Sequence, residues 1–394
     1  MDKYDYIIAG AGCAGLSLLH YINQDAVLRQ KKILVIDRNL KKSNDRTWCF
    51  WEEDASEFDH LKTKTWDTIS IHQCPNDYYL PTSPFTYKMI EGFRFYENII
   101  NQAKANPCVE WKEANIQSIK GHHVIWEGGS ASATYIFNSI ILYNPVFYNS
   151  ASVDQLNTYA KSLYQKPFLW QHFKGETIEF ANETFEVNTA RLMDFNVDQQ
   201  GATAFMYLLP ITRQKALVEY TVFSKEVLQP DMYDIAIKKY LQENYNNQSY
   251  IVLHQEFGAI PMTQNNLGNI ATDSIIPIGT YGAAVKASTG YAFKFIQDQT
   301  KRLAISLSKG MKPNAALPRT RHYFYDAVLL DILFNNKMSG AEIFSRIFAK
   351  NKAATVFKFL SNTSSIFDDI KIMRTLPTRL FLFTAISVML RGNK

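Results

Sequence analysis

The chain has 394 residues, 46% hydrophobic and 14% aromatic, enough for a large core and two domains; this composition excludes a disordered, collagen-like or repeat-built chain. Four scattered cysteines (Cys13, Cys49, Cys74, Cys108) form no CxxC pair, which excludes a disulfide framework and points to a reducing compartment, and eight histidines without ligand spacing predict no metal site. The formal net charge is +5, but residues from Lys301 onward carry 16 Lys/Arg against 5 Asp/Glu, while the first 300 hold 26 against 32.

No signal peptide is expected ahead of the first strand, which begins at about Tyr4. "YDYIIAGAGCAGLSLLHYI" is an apolar strand, then Gly10-x-Gly12-x-x-Gly15, then a helix; a second strand, "KILVID", ends in Asp37. Gly10 permits the tight turn, Gly12 the close approach of a pyrophosphate, and Gly15 the packing of helix on strand. The helix N-terminus offers unpaired N–H groups to phosphates, and Asp37 accepts from the adenosine ribose. An N-terminal unit of this kind predicts FAD in a glutathione-reductase-like arrangement. A second contact is expected from "SIIPIGTYGAAVKASTGYAFKFI", a strand that meets Gly279 and a small-residue turn with Thr280, Ser288 and Gly290 before a helix. Many flavoproteins have Asp where this chain has Thr280.

In mid-chain, "ALVEYTVF" alternates as a strand, with Leu217, Glu219, Thr221 and Phe223 on one face and Ala216, Val218, Tyr220 and Val222 on the other. Both faces are largely apolar. Glu219 is therefore either an edge carboxylate turned to water or to an arginine, or a carboxylic acid kept protonated in an apolar pocket. Asp194 in "RLMDF" poses the same question: it orients Glu219 or accepts a proton, or it pairs with Arg191 or Arg46.

The tail is basic and apolar. "DILFNNKMSGAEIFSRIFAKNKAATVFKFL" predicts helices broken near Gly340 and Asn351. The apolar run Leu380–Leu390, flanked by Arg379 and Arg391, is shorter than the roughly 20 residues a bilayer span needs. It either packs on the core or lies on an anionic membrane surface; the spacing of its charges disfavours nucleic acid.

Five stretches in order carry a resemblance: "NDRTWCFWEE" (Asn44–Glu53), "LWQHFKGETIE" (Leu169–Glu179), "RLMDF" (Arg191–Phe195), Phe205–Ser224 with "FMYLLP" and "ALVEYTVFS", and "GAIPM" (Gly258–Met262) leading to "IGTYGAAVKASTGYAF". Together they resemble the bacterial lycopene β-cyclases. The resemblance implies an intramolecular lyase that holds FAD in its reduced form, with NADPH or NADH as electron source. It would close the ψ-ends of lycopene, and of related C40 carotenoids, into β-ionone rings by way of γ-carotene and β-carotene, without net redox change. It implies a cytoplasmic protein peripheral to the cytoplasmic face of a membrane; the oligomeric state is left open. "LVEYT" matches the family's proton-donor stretch, which makes Glu219 the catalytic acid; Asp194 matches a family acidic position, and Arg46 is expected beside the flavin. Two departures stand out: Asn138, where relatives often have Asp, and Asn362, where they often have Glu.

Cation stabilisation by aromatic faces is expected from among Trp48, Phe50, Trp51, Phe205, Tyr207, Tyr220, Phe223 and Tyr291. The fold class is α/β: an FAD-binding Rossmann-like unit of the glutathione-reductase/hydroxybenzoate-hydroxylase type, a mixed-sheet substrate domain and a helical C-terminal region. The expected division is 1–75 with 109–150 and 256–310 for FAD, 76–108 with 151–255 for substrate, and 311–394 for the tail, facing the membrane or the core. Two rival readings are an FAD-dependent monooxygenase acting on an apolar substrate, and a non-catalytic flavin- or carotenoid-binding protein of the membrane surface.

Overall fold

Two large sheets, a small one and a set of C-terminal helices build the molecule. The structure, a computed structural model, describes residues 2–39, 44–140, 152–162, 166–246, 248–265, 267 and 271–392. The first sheet centres on Asp2–Ala9, with Ile33–Asp37 parallel on one side and Gly129–Asn138 parallel on the other. Val109–Glu113 continues it beyond Ile33–Asp37; His123–Trp126 and Ile116–Lys120 continue it antiparallel beyond Gly129–Asn138, and Ile275–Pro277 also pairs with Gly129–Asn138. Ile7, Ile8 and Ala9 are buried completely, as a central parallel strand covered on both faces requires.

The chain reverses strand order at Asp2–Ala9, so a crevice opens at its carboxyl end, beside Asp37 and Asn138. Gly10 turns there with φ +98°, and the helix Cys13–Gln24 runs back under the sheet. Leu16, Leu19 and Ile22 of that helix share a core with Phe95 and Ile99 of the helix Gly92–Lys104 and Ile296 and Leu303 of the helix Phe293–Ser308.

The second sheet runs in the order Tyr250–Thr263, Phe168–Phe180, Lys215–Ser224, Thr203–Pro210, Thr189–Asp194, Thr68–Gln73, Asn76–Pro81. All neighbours are antiparallel except Thr189–Asp194 with Thr68–Gln73. The period-two reading of Lys215–Ser224 describes its two faces. Val218, Tyr220 and Val222 pack on Tyr233, Ile237 and Tyr240 of the helix Pro230–Asn244. Leu217 and Phe223 face the other way, into a core shared with Trp51 and Tyr87 of the small sheet (Thr47–Glu52, Thr86–Glu91, Lys64–Trp66) and with Phe344 and Phe357 of the C-terminal helices.

Those helices are Arg321–Phe334, Gly340–Lys350, Ala353–Leu360, Ile366–Arg374 and Thr378–Gly392, with breaks at Gly340 and Asn351. Thr378–Gly392 is held on Arg321–Phe334 by Asp331, which accepts from Arg391 and Lys337. Among the described residues no helix is long and apolar enough to cross a membrane.

The sheets redraw the expected domain boundaries. Thr68–Gln73 belongs to the second sheet, Gly92–Lys104 packs in the nucleotide-side core, and a boundary at 256 would cut the strand Tyr250–Thr263. An amphipathic helix shows in its sequence that one face is apolar, not which layer receives it. The boundary at 150 lies outside the described residues.

A Cβ on Gly15 would stand 1.9 Å from the Gly10 carbonyl oxygen, whereas one on Gly12 meets nothing within 4 Å among the described residues. Gly15→Ala is therefore expected to lower the unfolding free energy by about 2 kcal/mol or more through forced separation of helix and strand. Gly12→Ala should change it by less than about 1 kcal/mol. Urea unfolding of both variants checks the contrast.

Candidate active site

A cavity of about 540 Å³ lies between the carboxyl ends of the first sheet and the inner face of the second. Gly10, Gly12 and Asp37 line one part of it, and Tyr207, Glu219 and Glu256 another. Arg46, Gly279, Thr280 and Gly290 also line it. Most of the residues singled out from distant parts of the sequence therefore meet in one cleft.

The nucleotide end has the donor set and the space for a dinucleotide. Gly12 caps the helix Cys13–Gln24 with no side chain on its first N–H groups and no acid in the first turn. Its open Cβ position leaves room for a phosphate at the positive end of the helix dipole. Asp37 accepts from the Ala11 N–H at 2.6 Å and the Asn39 N–H at 2.9 Å, which fixes its carboxylate at the rim. Gly279 (φ +66°) donates its N–H to Gln299 Oε1 at 2.7 Å, and Gly290 (φ +70°) closes the turn. A Cβ on Gly290 would fall 1.8 Å from Gln171 Oε1, a buried acceptor that has no hydrogen-bond partner among the described residues and lines the same cleft. An orphaned acceptor there fits a donor-bearing group such as a flavin ring edge.

Two predicted cofactor-binding residues lie off the cleft. Gly15 is packed between helix and strand. Ser288 is buried and donates to Asp326 at 2.7 Å, beside the ion pair of Asp326 with Lys286. Lys286 in turn donates to Asn362 at 2.8 Å, so Asn362 ties the tail to the glycine turn. Asn138, buried, caps its own strand end by accepting from the Ile140 N–H at 2.8 Å.

Of the two readings of Asp194, the structure shows the pairing with Arg191 and corrects the catalytic one. Asp194 accepts from Arg191 at 3.1 Å and from the Tyr240 hydroxyl at 2.8 Å, on the face of the sheet covered by the helix Pro230–Asn244. Glu219 projects from the opposite face, so Asp194 neither orients it nor exchanges a proton with it. A register irregularity between Arg191 and Asp194 sets this orientation, and the sequence does not announce it.

Glu219 sits in the wholly buried middle of its strand and accepts from Thr221 Oγ1 at 2.7 Å. Opposite it lie Gly175 on one neighbouring strand and Tyr207 on the other. Beyond Gly175, in register, lies Glu256, which accepts from Thr47 Oγ1 at 2.8 Å. Burial pushes the Glu219 carboxyl well up from its ordinary range, and the charge of Glu256 adds to the rise; the Thr221 hydrogen bond opposes it. Burial also raises Glu256, opposed by Thr47 and by the positive charge of Arg46. Among the described residues no ion pair neutralises either carboxyl. The alternation of "HQEFGAIPM" was available in the sequence, but the pairing of its strand with Phe168–Phe180, which brings Glu256 to Glu219, was not.

Of the eight aromatic candidates, Trp48, Tyr207 and Tyr291 line this cleft. Phe50 and Trp51 line a neighbouring cavity as well, Phe205 and Phe223 lie in the core, and Tyr220 turns away to donate to the Asp198 carbonyl at 2.7 Å.

The sequence profile of the lycopene cyclase protein family matches residues 5–385. The chain belongs to the lycopene cyclase family. It is 26% identical over 269 residues to a lycopene beta-cyclase of Pantoea ananas, a match covering 66% of this chain and 63% of that relative. Solved structures show the same fold at low identity. A flavoprotein/dehydrogenase from Cytophaga hutchinsonii matches with TM-score 0.61 and 13% identity over 100% of both chains. A geranylgeranyl bacteriochlorophyll reductase-like protein from Thermoplasma acidophilum matches with TM-score 0.60 and 10% identity over 95% of this chain and 96% of that one. A halogenase solved in complex with FAD matches with TM-score 0.54 and 10% identity over 90% of this chain and 79% of that one. The α/β flavoprotein fold is thus the scaffold on which this cyclase-family chain places its glutamates.

Raised carboxyl values have a sign in stability. Between the unfolded and folded values the native state holds a proton that the unfolded chain has released, so stability falls as pH rises through that interval. Wild-type unfolding free energy is expected to drop by a few kcal/mol from about pH 5 to about pH 8, and Glu219→Gln to flatten much of that slope. Chemical denaturation at several pH values measures it.

Proposed function

We propose that this chain is a lycopene β-cyclase: it binds FAD in the cleft and converts the ψ-ends of lycopene to β-ionone rings by acid-initiated cyclisation. The observation that carries this reading is Glu219, buried and without a counter-charge, in the cleft that also holds the nucleotide motif. An alkene is a very weak base, so its acid must be neutral, near and dry. Glu219 would give its proton to the terminal alkene and leave a tertiary cation. The neighbouring double bond attacks that cation, closing the ring, and loss of a ring proton gives the β-end. One proton enters and one leaves, so the reaction is an isomerisation.

Gly12, the helix N-terminus and Asp37 would hold the nucleotide portion of FAD, and Gly279, Thr280, Gly290 and Arg46 the flavin end. Reduced flavin, kept so by NADPH or NADH, would supply negative charge near the cation. Tyr207, Trp48 and Tyr291 offer aromatic faces that attract a cation without bonding to it. Thr221 holds the Glu219 carboxyl in one orientation, and the surrounding apolar core excludes water.

The expected test is pigment analysis of lycopene-accumulating bacterial cells expressing the chain. Cyclised carotenoid should replace lycopene; Glu219→Gln should leave lycopene unchanged, a loss of at least about 100-fold, while retaining FAD. Unchanged lycopene with wild-type, FAD-loaded protein would count against the assignment, and an oxygenated product would favour the monooxygenase reading.

The same reading places the protein on the cytoplasmic face of the membrane that dissolves its substrate. Phe367 (78% exposed) and Phe383 (70% exposed) stand out from the last two helices with Ile366, Leu382, Met389 and Leu390. The exposed Lys371, Arg374 and Arg379 lie among them. Apolar side chains entering the acyl boundary beside bases that meet anionic headgroups are the features of a surface-lying helix pair. Phe367→Ser with Phe383→Ser is expected to lower co-sedimentation with anionic phospholipid vesicles several-fold and leave FAD binding intact; equal sedimentation would remove this contact from the proposal.

A further inference from the structure

Glu256 has no part in the cyclisation as set out above, yet it is as carefully placed as Glu219. In three adjacent strands Glu219, Gly175 and Glu256 stand abreast. A Cβ on Gly175 would lie 3.1 Å from Glu256 Cγ and 3.5 Å from Glu219 Oε2, so both side chains lean over the glycine from opposite sides. Glycine in a strand interior marks a close approach of this kind. Each carboxyl is held from its outer side by one hydroxyl, Thr221 on Glu219 and Thr47 on Glu256.

The thiol and the phenols facing the pair add no competing negative charge at neutral pH. Cys49 of the strand Thr47–Glu52, Tyr87 of Thr86–Glu91, Tyr207 of Thr203–Pro210 and Tyr291 of the glycine turn are all pushed upward by burial and stay protonated. On the Glu256 side, Arg46 attracts its charged form while Asp45 and Glu91 disfavour it.

We propose that Glu219 and Glu256 act as one proton-sharing pair across Gly175, in which Glu256 is the positioning residue that keeps Glu219 protonated until substrate closes over it. Two carboxyls reaching over one glycine in a dry wall oppose each other's ionisation, so in the proposed pair the first charge to form holds the second proton in place. Arg46 and Thr47 favour the charge on Glu256, which leaves the proton on Glu219, the member facing Tyr207. When Glu219 protonates the terminal alkene, the pair carries two negative charges beside the new cation. That doubly charged pair is a strong base, and it regains one proton when the ring proton leaves. The pair thus supplies acid and base in turn with no net gain or loss of protons, and no second base is required.

This inference rests on the cyclase reading, so its test includes a measurement that does not. In the first arm, cyclisation of lycopene in vesicles is followed against pH with reduced flavin for wild type, Glu256→Gln and Glu256→Asp. Removing the neighbouring charge should make Glu219 lose its proton earlier: the alkaline midpoint is expected to fall by about one pH unit or more in Glu256→Gln and by less in Glu256→Asp. A uniform loss of activity with an unmoved midpoint in both variants would mean a merely structural Glu256 and overturn the proposal.

The second arm is the pH dependence of unfolding for wild type, Glu219→Gln, Glu256→Gln and the double variant. A coupled pair predicts non-additivity: the losses of pH slope in the two single substitutions should together exceed the loss in the double variant. Additive slopes would overturn the pair even if the substrate proved to be something other than lycopene. Wild type with the non-additive slope but no cyclised product would defeat the cyclase reading and leave the pair standing.

Discussion

Burying two carboxyl groups in adjacent positions, with a glycine between them and, among the described residues, no ion pair on either, constrains everything around the inner face of the second sheet. Uncompensated buried charge is costly, so the surroundings have to be dry and the groups have to titrate high. Three separate elements meet that demand. The small sheet supplies Cys49 and Tyr87, the neighbouring strand supplies Tyr207, and the glycine turn supplies Tyr291. The C-terminal helices then seal the apolar core behind them with Phe344 and Phe357. The long pairing of Phe168–Phe180 with both flanking strands holds the register, and a shift of one residue would turn one of the carboxyls to the opposite face.

The cleft therefore changes character along its length. At the nucleotide end, unpaired N–H groups, a helix N-terminus and a fixed Asp37 suit a charged, hydrogen-bonding ligand. At the glutamate end, apolar and aromatic walls suit a hydrocarbon. A fold shared with solved proteins named as a dehydrogenase, a reductase-like protein and a halogenase here carries two buried carboxyls, which is consistent with fold and chemistry being separable. In the proposed function the dinucleotide and the hydrocarbon would meet where these two regions join, between Gly290 and Glu219.

What the sequence disclosed, and what it withheld, follows from how local the determinant is. Gly10, Gly12, Gly15 and Asp37 act within one βαβ unit, and each lies where the spacing placed it. The face of Glu219 follows from alternation within one strand. Glu256 becomes visible only through the alignment of strands some 80 residues apart in the chain, set by the pairing of Gly175 with Glu256. Asp194 shares an apolar context with Glu219, but a register irregularity and the docking of Tyr240 decide its face, and neither has a local signature. Ser288 lies in the small-residue turn that the sequence marks, yet Asp326, from a helix beyond that turn, fixes where its hydroxyl points. The segment 76–108 is expected on the substrate side, but the helix Gly92–Lys104 packs in the nucleotide-side core, and which layer receives it has no local signature.

The central claim is that a carboxyl proton, exchangeable with water before substrate arrives, is added to the hydrocarbon without oxidation. Cyclisation of lycopene in deuterated buffer, anaerobically and with reduced flavin, tests this directly by mass spectrometry of the product and absorbance of the flavin. Acid-initiated, redox-neutral cyclisation gives one solvent-derived deuterium per ring formed and flavin that stays reduced across many turnovers. Rings free of deuterium, or flavin oxidised in proportion to product, would contradict it.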